Sequence, residues 1–415
     1  MGTLKLTKLA ACVAGSVSVF GVPAVMADQA DSKGFIEDSS LKITSRTLYF
    51  DRDWHNSGSA NNYSRDTGEG LTARFASGFT QGTVGFGIDS FALAGIKFDG
   101  GDGNNASASY PKDSDGHTED NFSKAGVALK MRVSNTVLKA GDQFVALPVF
   151  ATDTGRLLPE SASGFLLTSK EISGLELNLG HFTELSSQYA SGADSKRLKS
   201  ADVIGGSYVF TKDLSAALYY SDIEDNFTKK YANVNFVQAL SDNQSFTYDF
   251  NIYHTDSQGK ELSGFVDNTI WSFATVYAVG AHSFQVSYQR NSGDTGYVYG
   301  ADGAAVYNFA NSVQYSDFNA KNEASWQARY DLDFAAYGVP GLSLMIRYIR
   351  GDNIETTETK DGREWERNES LKYVFQSGAA KNLGVQIRHA TNRSSALDSN
   401  LDETRLIVDY PINVF

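Results

Sequence analysis

The chain has 415 residues, with 36 Lys and Arg against 49 Asp and Glu, a net charge of -13 and a single cysteine. That balance excludes a nucleic-acid binder, which needs a basic surface, and one cysteine excludes a disulfide framework or a thiolate metal site. A mean hydropathy of -0.30 excludes a bundle of membrane helices, and after residue 27 no apolar run is long enough for one.

The first element in chain order is an export leader. Lys5 and Lys8 give the positive start, Leu9 to Val22 the apolar core, and Val25-Met26-Ala27 a small-residue cleavage site. The expected division is therefore a signal peptide over 1–27 and one domain over 28–415. Leu9-Ala10-Ala11-Cys12 is similar to a lipoprotein cysteine box, but almost no apolar stretch precedes Cys12, so the cysteine belongs to the leader core.

From Leu41 onward, segments of alternating apolar and polar residues repeat to the C-terminus. Alternation at period two places one set of side chains on each face of a strand. Eighteen strands are expected: 41–50, 70–79, 83–93, 123–133, 135–141, 165–172, 174–182, 203–210, 214–221, 230–237, 246–254, 269–277, 282–289, 323–334, 341–349, 369–376, 382–390 and 403–414. The connections alternate in length. Thr80-Gln81-Gly82, Ser134, Ser173, Thr211-Lys212-Asp213, 278–281 and 377–381 are short; 51–69, 94–122, 142–164, 183–202, 255–268, 290–322 and 350–368 are long. Roughly 22 residues per strand and connection suit strands of ~10 residues that span a bilayer. This is the pattern of an all-β fold, a transmembrane antiparallel β-barrel of eighteen strands with short periplasmic turns and long extracellular loops. A propeller would show a blade repeat and a sandwich array would need linkers; the chain has neither.

Parity then assigns faces. In 282–289, Phe284, Val286 and Tyr288 share one side and Ser283, Gln285, Ser287 and Gln289 the other. The apolar side meets lipid and the polar side lines a channel. Tyr49, Phe79, Trp271, Tyr277, Tyr348 and Tyr410 near strand ends are expected in interfacial girdles. Lumen-facing cations by parity are Lys42, Arg46, Arg74, Lys124, Lys130, Arg132, Lys139, Arg329, Arg347, Lys372, Arg388 and Arg405, against six acids: Asp89, Glu176, Asp249, Asp331, Asp333 and Asp409. The remaining acidity is expected in loops, including Asp102, Asp113, Asp115, Glu119 and Asp120, and Glu355, Glu358, Asp361, Glu364 and Glu366. Guanidinium groups hold carboxylates bidentately, so a row of them offers an anion successive sites from which it can also leave.

Several segments carry a family resemblance: Tyr49-Phe50-Asp51-Arg52-Asp53, Ser77 to Gly87, Arg156-Leu157-Leu158-Pro159, Ser325 to Asp331, Gly338 to Leu342, Arg347 to Asn353, Trp365-Glu366-Arg367 and Arg405 to Pro411. Together they resemble the OprD-like outer membrane carboxylate channels over essentially the whole exported chain. The resemblance implies a monomeric barrel and uptake of small carboxylates past a ladder of basic side chains. It implies that the third and seventh external loops, 142–164 and 290–322, fold inward, with Arg156 toward the constriction. The expected substrate-binding residues are Arg46, Arg74, Lys130, Arg132, Arg156, Arg329, Arg347, Lys372 and Arg388. Tyr297, Tyr299, Tyr307, Tyr315 and Phe318 either contact a ring of the solute or pack the seventh loop against the wall. One departure stands at the C-terminus, where Phe415 is preceded at alternate positions by Asn413, Pro411 and Asp409.

The expected function is passive, substrate-selective uptake of small carboxylates across the bacterial outer membrane, with aromatic, cyclic or other organic acids favoured. Amino acids or short peptides are the alternative solutes; a hydrolase or an adhesin is a rival reading that no motif favours. The six histidines lack zinc spacing, and there is no GxSxG elbow or P-loop. No catalytic residue, metal or cofactor is expected. The expected partners are small carboxylate solutes, outer-membrane lipid, lipopolysaccharide and the barrel-assembly machinery, with no nucleic acid.

Overall fold

The computed structural model describes residues 28–55, 62–99, 109–303 and 306–415. The expected leader and Asp102 lie outside the described residues. The strands are β1 (Ser40–Trp54), β2 (Tyr63–Ala76), β3 (Val84–Asp99), β4 (Asn121–Val133), β5 (Thr136–Gln143), β6 (Ala146–Leu147), β7 (Phe150–Ala151), β8 (Ser161–Ser169), β9 (Leu175–Ser186) and β10 (Ala201–Thr211). They continue as β11 (Leu214–Ile223), β12 (Phe227–Ser241), β13 (Gln244–Ser257), β14 (Asp267–Val279), β15 (His282–Gly293), β16 (Ala324–Asp333), β17 (Leu342–Ile354), β18 (Gly362–Val374), β19 (Gly384–Ser394) and β20 (Leu401–Asn413). β6 and β7 pair only with each other, as a small ribbon in the third outer loop. The other strands form one 18-stranded sheet. It closes where β1 pairs with β20, with Lys42 opposite Asn413 and Trp54 opposite Leu401. Closure leaves no sheet edge, so the wall's backbone polar groups pair internally, as hydrocarbon demands.

Every expected strand is present, and most run further outward than the sequence pattern suggested. β1 extends to Trp54 and β18 begins at Gly362. The reason is that apolar alternation stops where hydrocarbon stops, whereas the hydrogen-bond ladder continues into the polar region above it. The extension corrects two expectations. Glu364 and Glu366 are wall residues of β18, buried at 2% and 0% exposure, rather than loop residues. Arg52 is also a wall residue, on the same face of β1 as Arg46.

The faces follow parity. On β15, Val286 is 65% exposed on the outside while Gln289 is 0% exposed inside. The outside is not uniformly greasy: Arg367 and Glu369 form an ion pair there at 2.7 Å. Phe79 is a correction to the girdle. The chain leaves the sheet after Ala76, and segment 28–39 straps the turn. Gln29 donates to the carbonyls of Thr80 (2.8 Å) and Gly82 (3.1 Å), and Ser32 donates to the carbonyl of Phe79 (2.6 Å). Phe79 therefore lies beneath Lys130 and Arg132, whose charges sit 4.9 and 4.2 Å from its ring centroid.

Apolar side chains also point inward, where loops cover them. One cluster joins Leu48, Phe50, Phe91 and Leu93 of the wall to Leu157 and Leu158 of the third loop. Another joins Phe182, Tyr219, Tyr231 and Tyr253 of the wall to Val145, Val149, Tyr297, Val306 and Phe309 of the two folded loops. Gly70 makes the first seat possible, since a Cβ there would come within 2.6 Å of the Leu157 carbonyl oxygen. Gly70→Val is expected to lift the third loop at a cost of about 1–3 kcal/mol. An unchanged thermal midpoint together with an unchanged single-channel conductance would count against that seat.

Candidate functional site: a basic passage beside two folded loops

The third loop (144–160) and the seventh (294–323, with 304 and 305 outside the description) fill one side of the barrel. Tyr253 donates to the Pro148 carbonyl at 3.0 Å, and Ser221 to that of Val149 at 3.3 Å. Lys229 of β12, fully buried, donates to the Tyr297 hydroxyl (3.0 Å) and to the carbonyls of Val298 (2.5 Å) and Tyr299 (2.8 Å). The sequence reading missed Lys229 because it began that strand one residue later. Tyr297 and Phe318 are buried packing residues, while Tyr307 is 38% exposed.

Across the barrel, wall carboxylates grip the tip of the seventh loop. Glu366 accepts from the backbone N–H groups of Tyr315 (3.1 Å) and Ser316 (2.8 Å), and Glu364 accepts from the Ser316 hydroxyl (2.8 Å). Gln314 donates to Glu403 at 3.0 Å, and Arg405 donates to the Gln314 carbonyl at 3.1 Å. The lumen thus holds more acids than parity implied, but Glu364, Glu366 and Glu403 are sealed beneath the loop.

Three arginines surround Phe50. Arg52, Arg156 and Arg405 lie 4.9, 5.0 and 4.6 Å from its ring centroid, a geometry in which the ring face partly offsets buried positive charge. Glu403 accepts from Arg52 and Arg405, each at 2.6 Å. Arg156 has no hydrogen-bond or ion-pair partner for its guanidinium among the described residues. Burial, then Arg405 and Arg52, push it down to about 10, so it stays cationic at neutral pH. Burial pushes the Tyr307 phenol up, which keeps it a neutral group on the opposing loop.

The expected binding residues divide into two sets. Four are already engaged. Arg46 bridges Asp409 at 2.8 Å and donates to the carbonyls of Thr154 (3.0 Å) and Arg156 (2.9 Å), holding the third loop. Arg329 forks Asp331 with two 2.7 Å bonds. Lys130 binds Asp89 (2.6 Å) and the Ser77 carbonyl (2.7 Å), and Arg132 binds Gln29 (2.8 Å). The other five have no carboxylate partner among the described residues. Arg74 lies over Phe144 at 4.0 Å, Arg347 bonds only Asn368 at 2.6 Å, and Arg156, Lys372 and Arg388 are open. Arg329, Arg347, Lys372 and Arg388 line one cavity of about 890 Å³ with Asp331, Ser370 and Gln386, bounded by the periplasmic turns at Gly280 and Gly341.

The family model for the outer membrane porin, OprD family, matches residues 33–414. The chain belongs to the OprD family of outer membrane porins. It is 43% identical to Porin D of Pseudomonas aeruginosa over 447 aligned residues, covering 100% of both chains. Among solved structures it is similar to OccAB1 of Acinetobacter baumannii, with a TM-score of 0.89 and 34% identity over 94% of this chain and 100% of that one. It is also similar to Pseudomonas aeruginosa OpdK, solved with vanillate, with a TM-score of 0.85 and 32% identity over 92% of this chain and 100% of that one. The protein is thus an outer-membrane β-barrel porin for substrate-specific uptake, and its relatives are channels rather than enzymes.

A latch at the outer end ties the seventh loop of this porin to the fourth. Asp302 accepts from the backbone N–H groups of Lys196 (2.7 Å), Arg197 (2.5 Å) and Leu198 (2.7 Å), and from the Arg197 side chain at 3.2 Å. Burial acts to raise this carboxyl, but those hydrogen bonds outweigh it and hold it below 3.8. A depressed carboxyl contributes stability that is present above its unfolded value and is lost as pH falls through its folded value. Loop-closure noise in single-channel records is therefore expected to stay low near neutral pH and to rise progressively on acidification through and below the ordinary carboxylate range. Asp302→Asn should show that noise already at pH 7; a quiet Asn variant would rule the latch out.

Proposed function

We propose that this porin passes small carboxylate-bearing solutes, aromatic or cyclic acids above all, along the five lumen cations that have no carboxylate partner among the described residues. The observation that carries the reading is the asymmetry of charge. Glu364, Glu366 and Glu403 of the wall are spent on holding the seventh loop, whereas Arg74, Arg156, Arg347, Lys372 and Arg388 have no carboxylate partner among the described residues. A desolvated guanidinium attracts an anion far more strongly than one in bulk water. Sharing the solute among successive cations keeps each site weak enough for release. Arg46, Arg329, Lys130 and Arg132 act mainly as supports that keep the passage in shape.

Vanillate, found with OpdK, is an aromatic carboxylate, which supports that solute class for a relative of the same fold. Tyr307, partly exposed on the seventh loop, would offer such a solute a ring. The passage needs no cofactor and makes or breaks no bond. On this reading the chain is exported through a leader over 1–27, inserted by the barrel-assembly machinery, and works as a single barrel among outer-membrane lipid and lipopolysaccharide.

Bilayer recordings and liposome swelling test the proposal together. Reversal potentials should report anion preference, and benzoate-like acids should enter faster than neutral sugars of equal size. Cation preference, or equal rates for charged and neutral solutes, would overturn it. Faster entry of amino acids than of aromatic acids would favour the amino-acid reading instead.

A further inference from the structure

The outer face carries a tryptophan- and tyrosine-rich belt over β14–β18. The rings of Trp271 and Tyr288 are 5.5 Å apart, those of Trp326 and Tyr348 5.6 Å, and those of Tyr348 and Trp365 6.0 Å. Tyr288 stands directly opposite Trp326 in register, which makes the belt continuous. Such belts mark the edge of the hydrocarbon.

On three of these strands the next outward position on the same face is an arginine: Arg290 beyond Tyr288, Arg350 beyond Tyr348 and Arg363 beyond Trp365. Arg290 lies opposite Trp271 in register, and Arg350 lies between Trp326 and Trp365. The side chain of Arg290 is exposed and has no hydrogen-bond or ion-pair partner among the described residues. Arg350 and Arg363 converge on one carboxylate, Asp352, at 3.1 and 3.5 Å, and remain 43% and 56% exposed. Arg363 also meets Asp361 at 3.4 Å. Elsewhere the rim carries acids and neutral groups, such as Asp202 beyond Ile204, Asp222 beyond Tyr220 and Thr404 beyond Leu406, and its cations meet carboxylates, as Lys230 meets Asp256 and Arg65 meets Asp51. A chain of net charge -13 thus concentrates guanidinium groups on one sector, at the level of a lipid headgroup.

We propose that this sector, centred on Arg290 and Arg350, binds the phosphate of a glycolipid headgroup in the outer leaflet. Guanidinium forks match phosphate oxygens bidentately. The rings below cover the top of the acyl chains, and the acids common elsewhere on the rim repel the same headgroup, which localises it. The assignment does not depend on the solute the lumen carries.

The test uses the full exported barrel in detergent micelles with purified diphosphorylated lipid A, with bound lipid counted by mass spectrometry of the intact complex. Arg290→Gln combined with Arg350→Gln is expected to weaken binding about tenfold or more, from the loss of two charge-assisted contacts. Lys230→Gln, on another sector, should leave binding unchanged. Heat-modifiable mobility confirms that each variant is a closed barrel. Dephosphorylated lipid A should fail to compete. Inorganic phosphate, lacking acyl chains, should displace the lipid only at large excess. Equal binding of dephosphorylated lipid, or full retention by the double variant, would overturn the site. Displacement by equimolar inorganic phosphate would overturn the lipid as its ligand.

Discussion

Arg388→Ala is expected to slow carboxylate flux about tenfold while leaving neutral-solute flux within about twofold, because one charge-assisted contact to an anion is worth roughly 1.5–3 kcal/mol. The structure also ranks its neighbours. Among the described residues Arg347 bonds only the neutral Asn368, so Arg347→Ala should come second. Arg329 is forked to Asp331, so Arg329→Ala removes a cation already spent and frees a carboxylate, with the smallest direct loss of attraction. Parity alone puts all three on the same footing. Liposome swelling with one acid and one sugar of similar size distinguishes the cases. If the three substitutions slow acid and sugar alike, the cations are wall structure and the solute does not read them.

The second large effect is expected at Glu366. Its two oxygens accept the backbone N–H groups of Tyr315 and Ser316 and also bond Asn368 at 2.7 Å. Glu366→Ala leaves two loop N–H groups without an acceptor, and each orphaned buried donor costs about 1–3 kcal/mol. The loop tip should then leave the wall. Single-channel conductance should rise and the preference for acids over sugars should shrink, while the closed sheet stays intact. Glu366→Gln keeps one acceptor oxygen and should fall between the two. A conductance in Glu366→Ala equal to that of the unaltered channel would mean that the other loop contacts suffice and Glu366 is no latch.

Opposite charges stand on the inward faces of neighbouring strands. On β18 and β19, Glu366 and Arg388 both obey the inward parity of their strands. The strand rhythm predicted that neighbouring residues alternate between lipid and lumen, and it did so correctly for Phe284, Val286 and Tyr288 against Gln285, Ser287 and Gln289. It ended too early on the outer side, because beyond the hydrocarbon both faces of a strand can be polar. That is why Arg52 and Lys229 were missed and Glu364 and Glu366 were taken for loop residues. Continuing the parity of β1 past Phe50 would have found Arg52. Phe79 failed for a different reason: an aromatic residue at a strand end fits a girdle, and only the strap from Gln29 and Ser32 turns it beneath Lys130 and Arg132.

Period-two alternation, connection lengths and the absence of a long apolar run were enough to determine a closed antiparallel barrel in a membrane, and its quoted segments were enough for the family. Those are local properties, set by which solvent each face of each strand must meet. Which inward charges remain available to a solute was decided only by tertiary structure. Residues far apart in the chain supply the partners that neutralise or hydrogen-bond a charge, as the Asp409 carboxylate does for Arg46 and the backbone N–H groups of Tyr315 and Ser316 do for Glu366. Electrostatic attraction depends on burial and on the nearest opposite charge, and both are fixed when the third and seventh loops fold into the barrel.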